Sequence, residues 1–116
     1  MDEINSGRYR DKLRKRRDQA AMTLRHIVKE QRQAEQNTDW LDQAAYESRV
    51  QLLDRLSHWY IAEMHEIDKA LDRISTNHYG QCLACHSPIE RERLEISPEA
   101  EFCAACQGMR EDLQRI

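Results

Sequence analysis

The sequence predicts a mainly α fold: a long antiparallel helical hairpin, a coiled coil, followed by a small four-cysteine module and a short C-terminal helix. Three observations carry that prediction. All four cysteines fall in one segment, as Cys82-x2-Cys85-x17-Cys103-x2-Cys106. Only 3 Gly and 2 Pro interrupt the 116 residues, and 34% of them are charged against 40% hydrophobic, which suits solvated helices meeting along a narrow seam. Apolar residues also recur in steps of three and four through two long stretches. The expected division is residues 1–76 for the hairpin, with its tip near 37–45, and residues 77–116 for the module and its helix.

From Arg8 to Gln36 nothing breaks a helix, and Leu13, Ala20, Leu24, Ile27 and Ala34 form a weak heptad seam, with Arg17 and Gln31 in the same register. The segment opens with Arg8, Arg10, Lys12, Arg14, Lys15, Arg16 and Arg17, offset by Asp11 and Asp18. On a helix such a run spreads around the circumference, so it reads as a solvated face, a protein contact or a nucleic-acid contact. The net charge of −3 argues against broad nucleic-acid binding.

Around Asn37-Thr38-Asp39-Trp40 the pattern resets with residues that favour helix starts, so the chain reverses in a short turn. The second arm, about Trp40 to Ser75, carries the stronger seam: Tyr46, Leu53, Leu56, Tyr60, Met64, Ile67, Leu71 and Ile74. Two successive steps of four between Leu56 and Met64 resemble a stutter, and Trp59 and Ile61 are expected to pack where the seam broadens. Ser75, Thr76 and Asn77 end the arm, and Gly80 is expected to supply a backbone conformation that a side chain would hinder. Between the cysteine pairs, Ser97-Pro98-Glu99 has the form of a helix start. Met109 to Ile116 is expected to continue a helix from the second pair, with Met109, Leu113 and Ile116 packing against the base of the hairpin.

Two Cys-x2-Cys knuckles at this separation suit one tetrahedral zinc ion, because each knuckle presents two sulfurs at a bend. The rival readings are a pair of disulfides or a redox dithiol. The opening Met1-Asp2-Glu3-Ile4-Asn5-Ser6-Gly7 is acidic and polar, unlike a secretory leader, and no apolar run approaches the roughly 18 residues that span a bilayer. A cytoplasmic protein is expected, where thiols meet metal more often than each other. Cys82, Cys85, Cys103 and Cys106 are therefore the predicted ligands of one structural Zn2+. Four protein ligands leave no open position for substrate, so catalysis at the metal is not expected. His86 adjoins a ligand, while His26, His58, His65 and His78 show no ligand clustering.

Asp39 and Asp42 lie three apart at the predicted tip, with small Ala44 beside them. They read either as a pair of carboxylates presented to a positive site or as a helix cap and a first-turn charge that need no partner. A resemblance bears on that choice. Ala70-Leu71-Asp72-Arg73-Ile74, Tyr79-Gly80-Gln81-Cys82-Leu83-Ala84-Cys85, Pro88-Ile89, Arg93-Leu94, Pro98, Ala100 and Cys103-Ala104-Ala105-Cys106-Gln107 together resemble the DksA/TraR family of zinc-finger transcription regulators. Asp39-x2-Asp42-x-Ala44 is similar to the tip signature of the DksA branch.

The resemblance implies a non-enzymatic bacterial protein that binds RNA polymerase directly, without sequence-specific DNA binding; the few strong core residues of the seam, especially in the first arm, point to a self-contained monomeric hairpin rather than an extended dimer. The resemblance also implies that the hairpin enters the secondary channel and that Asp42, supported by Asp39 and Ala44, shifts the stability of promoter complexes. In the DksA branch, basic residues near the zinc end help form a guanosine tetraphosphate site; Glu66, Ser97 and Gln107 align there, which implies a weak or absent response. Three other functions fit the same residues: a secondary-channel transcript-cleavage factor whose acids hold magnesium, a non-catalytic coiled-coil scaffold, and a thiol sensor.

Overall fold

A computed structural model describes residues 5–36 and 43–115, and these form four helices: α1 (Ser6–Gln36), α2 (Gln43–Ser75), α3 (Arg91–Ile96) and α4 (Ala104–Gln114). The fold is mainly α, as the sequence predicts, with two long helices packed against each other, a four-cysteine segment and a short C-terminal helix. None of the described helices is long and apolar enough to cross a membrane. The chain divides into two compact units, Arg16–His65 and Met1–Lys15 with Glu66–Ile116.

Helix α1 begins two residues before Arg8 because Asn5 caps it. The Arg8 N–H donates to Asn5 Oδ1 at 3.3 Å, filling a valence that the first turn leaves open. Helix α2 stops at Ser75, where Asn77 adopts φ 62°. That left-handed residue lets the His78 N–H reach the Arg73 carbonyl at 2.8 Å and the Asn77 N–H reach Ile74 at 3.3 Å, the paired bonds of a Schellman stop.

In Arg16–His65 the buried seam of α1 is Ala20, Ile27 and Ala34, spaced by seven, with Leu24 and Gln31 half-buried. Cross-links between α1 and α2 pair early residues with late ones: Gln31 Nε2 donates to Asp54 Oδ1 at 3.3 Å, and Arg49 meets Glu30 at 3.5 Å. The α2 seam departs from expectation at its centre. Leu56 is exposed, and Ser57 takes the buried place beside Leu53. Tyr46, Val50, Leu53, Ser57, Tyr60 and Met64 then follow regular steps of four and three, so there is no stutter. Ser57 tolerates burial because its hydroxyl donates to the Asp54 carbonyl at 2.9 Å, one turn earlier. Trp59 and Ile61 are exposed, at 59% and 53%, rather than packed where a seam broadens.

The other unit has two clusters. Leu13, Ile67 and Ala70 are buried together, with Leu71, Ile74 and Tyr79 against them. Tyr9 is buried with Cys82, Ile89, Leu94 and Cys103, with Tyr79, Ala100, Phe102 and Cys106 around them. Ser97-Pro98-Glu99 does not start a helix. It is a turn after α3, closed by Ala100 N–H to Ser97 O at 3.0 Å, and Pro98 is buried with its carbonyl accepting from Tyr79 Oη at 2.8 Å. The helix starts instead at Ala104, after Cys103. Met109 and Leu113 on that helix are 66% and 68% exposed, so they do not pack as expected, and Ile116 lies outside the described residues.

Candidate metal centre and hairpin tip

The first knuckle is a tight reversal. Gln81 and Pro88 form an antiparallel bridge, the Cys82 N–H donates to Ser87 O at 2.8 Å, and the Ile89 N–H donates to Gly80 O at 2.8 Å. Gly80 sits at φ 82° and His86 at φ 64°, so the bend uses the left-handed region twice and glycine meets one of those demands without a Cβ penalty. The second knuckle is the start of α4, with Cys103 in the capping position and Cys106 in the first turn. A hydrogen bond from Leu83 N–H to Glu101 O at 2.9 Å ties the two segments together.

More distant side chains hold the second knuckle. Both Glu90 carboxylate oxygens accept from the Ala104 N–H, at 3.3 and 3.2 Å, and place negative charge at the α4 N-terminus. Arg93 Nε donates to Phe102 O at 2.9 Å, and Arg73 Nη2 donates to the carbonyls of Glu99 and Ala100 at 3.2 and 3.3 Å.

These constraints bring the Sγ atoms of Cys82, Cys85, Cys103 and Cys106 within 4.8 Å of one another. Cys85 and Cys103 are 3.8 Å apart, which matches the edge of about 3.8 Å expected for thiolates arranged tetrahedrally at zinc–sulfur distances of about 2.3 Å. The donor set and its spacing therefore fit zinc.

The thiols also show why a cation suits the cluster. Burial of Cys82 opposes its ionisation, yet hydrogen bonds from the backbone of Cys85, Cys103 and Ala84 bring it down to about 6. At Cys106 the hydrogen bonds with Cys103, Cys82 and Cys85 push ionisation up to about 12. The sulfurs alone cannot all carry charge, and a divalent cation removes that repulsion.

One set of anchoring residues was missed by periodicity. Tyr9 is 3% exposed, stands 5.6 Å from Tyr79 between ring centroids, and donates from Oη to Glu95 Oε1 at 2.9 Å. Burial, followed by the bond to Glu95, pushes its phenol pKa up. Glu95 also accepts two bonds from Arg8, at 2.9 and 3.0 Å, while Lys12 Nζ donates to its carbonyl at 2.7 Å. Part of the basic run thus anchors α1 on α3, and only the aromatic residue inside that run signalled it.

Of the predicted tip residues, Ala44 is exposed in the first turn of α2, while Asp39 and Asp42 lie outside the described residues. Glu66, Ser97 and Gln107 line one cleft of about 340 Å3, shared with Glu99, Arg93 and Arg110. His86 is exposed and is not among the clustered ligand atoms.

A family model described as the prokaryotic dksA/traR C4-type zinc finger matches residues 77–112. A protein of Aquifex aeolicus is 34% identical over 95 residues, covering 77% of this chain and 66% of that protein. The RNA polymerase-binding transcription factors DksA of Escherichia coli K12 and Salmonella typhimurium are each 30% identical over 95 residues, covering 82% of this chain and 61% of theirs. The alignments thus span less than two thirds of these relatives. Among solved structures, transcription factor DksA2 from Pseudomonas aeruginosa matches with a TM-score of 0.89 and 29% identity, over 99% of this chain and 89% of that one. A DnaK suppressor protein from Agrobacterium tumefaciens matches with a TM-score of 0.63 and 29% identity, over 93% and 96%. With its cysteine segment matched by the family model and its long helices by these structures, the chain belongs to the DksA/TraR family.

Proposed function

We propose that this chain is a non-enzymatic transcription regulator that binds bacterial RNA polymerase directly and acts as a monomer, without reading a DNA sequence. The likeness to relatives named as RNA polymerase-binding factors, extending over 82% of this chain, carries the reading. Residues 1–76 serve as the hairpin, and its tip enters the secondary channel to shift the stability of open promoter complexes. Residues 77–116 serve as the module, with one structural zinc held by Cys82, Cys85, Cys103 and Cys106. When bound, the zinc supplies cross-linking and charge neutralisation, and its four protein ligands leave no position for substrate. Asp42 makes the effective tip contact, with Asp39 and Ala44 supporting it.

The lifetime of an open complex tests this reading. Wild-type protein is expected to change the lifetime, and Asp42→Asn to reduce the effect roughly tenfold or more while still binding polymerase, the scale of losing one charged contact. No binding and no change with wild type would move the scaffold reading ahead, and RNA cleavage in a stalled complex would favour the cleavage factor.

The same reading includes a weak or absent response to guanosine tetraphosphate. The cleft that contains Glu66, Ser97 and Gln107 is also lined by Glu99, Glu101, Arg93 and Arg110. Its cations are engaged within the chain: Arg93 Nε donates to Phe102 O at 2.9 Å, Arg110 lies 4.3 Å from the centre of the Phe102 ring, and nearby Lys69 meets Glu66 at 2.9 Å and Glu101 at 3.2 Å. A polyanion would meet carboxylates beside partnered cations there. Adding the nucleotide to a polymerase complex with this protein is expected to leave the open-complex lifetime unchanged. Strong potentiation would overturn this part of the reading.

A further inference from the structure

The second knuckle lacks the cap that its helix would ordinarily carry. Cys103 stands in the capping position of α4, at φ −65° and ψ 165°, yet its side chain makes no capping bond. Its sulfur belongs instead to the group of four that lie within 4.8 Å of one another. The first amides of α4 therefore need an acceptor from elsewhere. Glu90 supplies one. It immediately precedes α3 and makes no side-chain bond to that helix. Its carboxylate reaches across to the Ala104 N–H, 14 positions on, at 3.3 and 3.2 Å.

Arg93, three residues after Glu90, takes hold on the other side of the ligand, with Nε donating to Phe102 O at 2.9 Å. Each peptide that flanks Cys103 is thus fixed at both ends. In the preceding one, Arg93 holds the carbonyl and the Cys103 N–H bonds the Cys82 sulfur. In the following one, the Cys103 carbonyl accepts from the Gln107 N–H at 2.9 Å and Glu90 holds the Ala104 N–H. Peptide units are rigid planes, so two fixed planes leave the residue between them no freedom in φ or ψ, and its Cα–Cβ bond points one way.

We propose that Glu90 is a positioning residue for the metal centre: by holding the Cys103–Ala104 peptide it aims the Cys103 sulfur at the cation and slows the loss of zinc. The inference rests on the zinc reading and adds to it a residue outside the four ligands.

A carboxylate could also retain a cation by its charge alone. Glu90 is exposed, however, and solvent and salt screen an exposed charge, whereas the direction of a ligand bond is not screened. Two substitutions separate these effects. Glutamine keeps an oxygen at the same reach without the charge, and aspartate keeps the charge one methylene short of the amide.

The test follows zinc transfer from the full, zinc-loaded chain to excess 4-(2-pyridylazo)resorcinol. Glu90→Ala is expected to speed transfer about tenfold, the scale of losing a group that orients a metal ligand, and Glu90→Asp about threefold or more. Glu90→Gln should stay within about twofold of wild type, as should Glu92→Ala, which removes another exposed acid from α3. All variants should start with one zinc per chain, and their Co2+ forms should keep the visible bands of four-sulfur tetrahedral ligation, so that a faster rate reports aim and not a missing ligand. Wild-type rates for both Glu90→Ala and Glu90→Asp would overturn the inference. So would Glu90→Asp retaining zinc while Glu90→Gln loses it, because charge would then be the agent. If wild type itself takes up no zinc, the zinc reading fails and takes this inference with it, a separate outcome.

Discussion

Removing metal from the cysteine cluster is expected to unfold the apolar cluster packed around it. A structural zinc site supplies about 10–16 kcal/mol of apparent binding free energy in small zinc domains, against a total stability of about 5–15 kcal/mol for an ordinary domain. The residues packed with the cysteines are few: Tyr9, Ile89 and Leu94 are the other buried members of that cluster. Their burial cannot offset a loss of that size. Chelation, or Cys82→Ser with Cys103→Ser, should therefore abolish zinc binding by elemental analysis and collapse the near-ultraviolet circular dichroism of Tyr9 and Tyr79. Acid should act in the same direction. Metal binding requires thiolates, so protons compete with zinc for the four sulfurs and zinc release should rise as the pH falls. Retention of the tyrosine signal in metal-free protein would show that the apolar cluster holds without the metal.

Leu13→Ala is expected to cost about 3–4 kcal/mol, the range for deleting a fully buried leucine where the surroundings relax only in part. Leu13 is 0% exposed and packs with Ile67 and Ala70, themselves 0% exposed. By contrast Leu113→Ala, at a site 68% exposed, should stay within about 0.5 kcal/mol. Urea unfolding of the two variants under zinc-saturated conditions separates them, and equal costs would mean that α4 packs more tightly than its exposure indicates.

The contrast between those leucines also explains how far the sequence could be read. The seam of α1 was legible because Leu13, Ala20, Ile27 and Ala34 repeat every seventh residue and all four are buried. The α2 seam was misplaced by one residue, at Leu56 instead of Ser57, because hydrophobicity ranks leucine above serine. Periodicity ranks the two the other way, and a hydroxyl bonded to its own helix can be buried cheaply. The cysteine cluster was legible from spacing alone, since few structures other than a metal site need two such knuckles.

What holds the cluster was not legible. Tyr9 lies among cations and matches no long seam, yet its burial depends on residues over eighty positions away, through Glu95. Ser97-Pro98 has the local chemistry of a helix start, but the buried Pro98 and its bond from Tyr79 make it a turn. Local preference gave way to a tertiary contact in both places.

The small side chains on the inner faces of Arg16–His65 have a further consequence. Ala20, Ala34 and Ser57 occupy buried positions that larger residues often fill. They allow helix axes to approach toward the lower end of the usual 8–10 Å range. The calibre of this segment is thus set by what is missing from its interior. A methyl or a hydroxyl at each of these points keeps the paired helices slender, and bulkier replacements there would widen the pair before they altered any group on its outside.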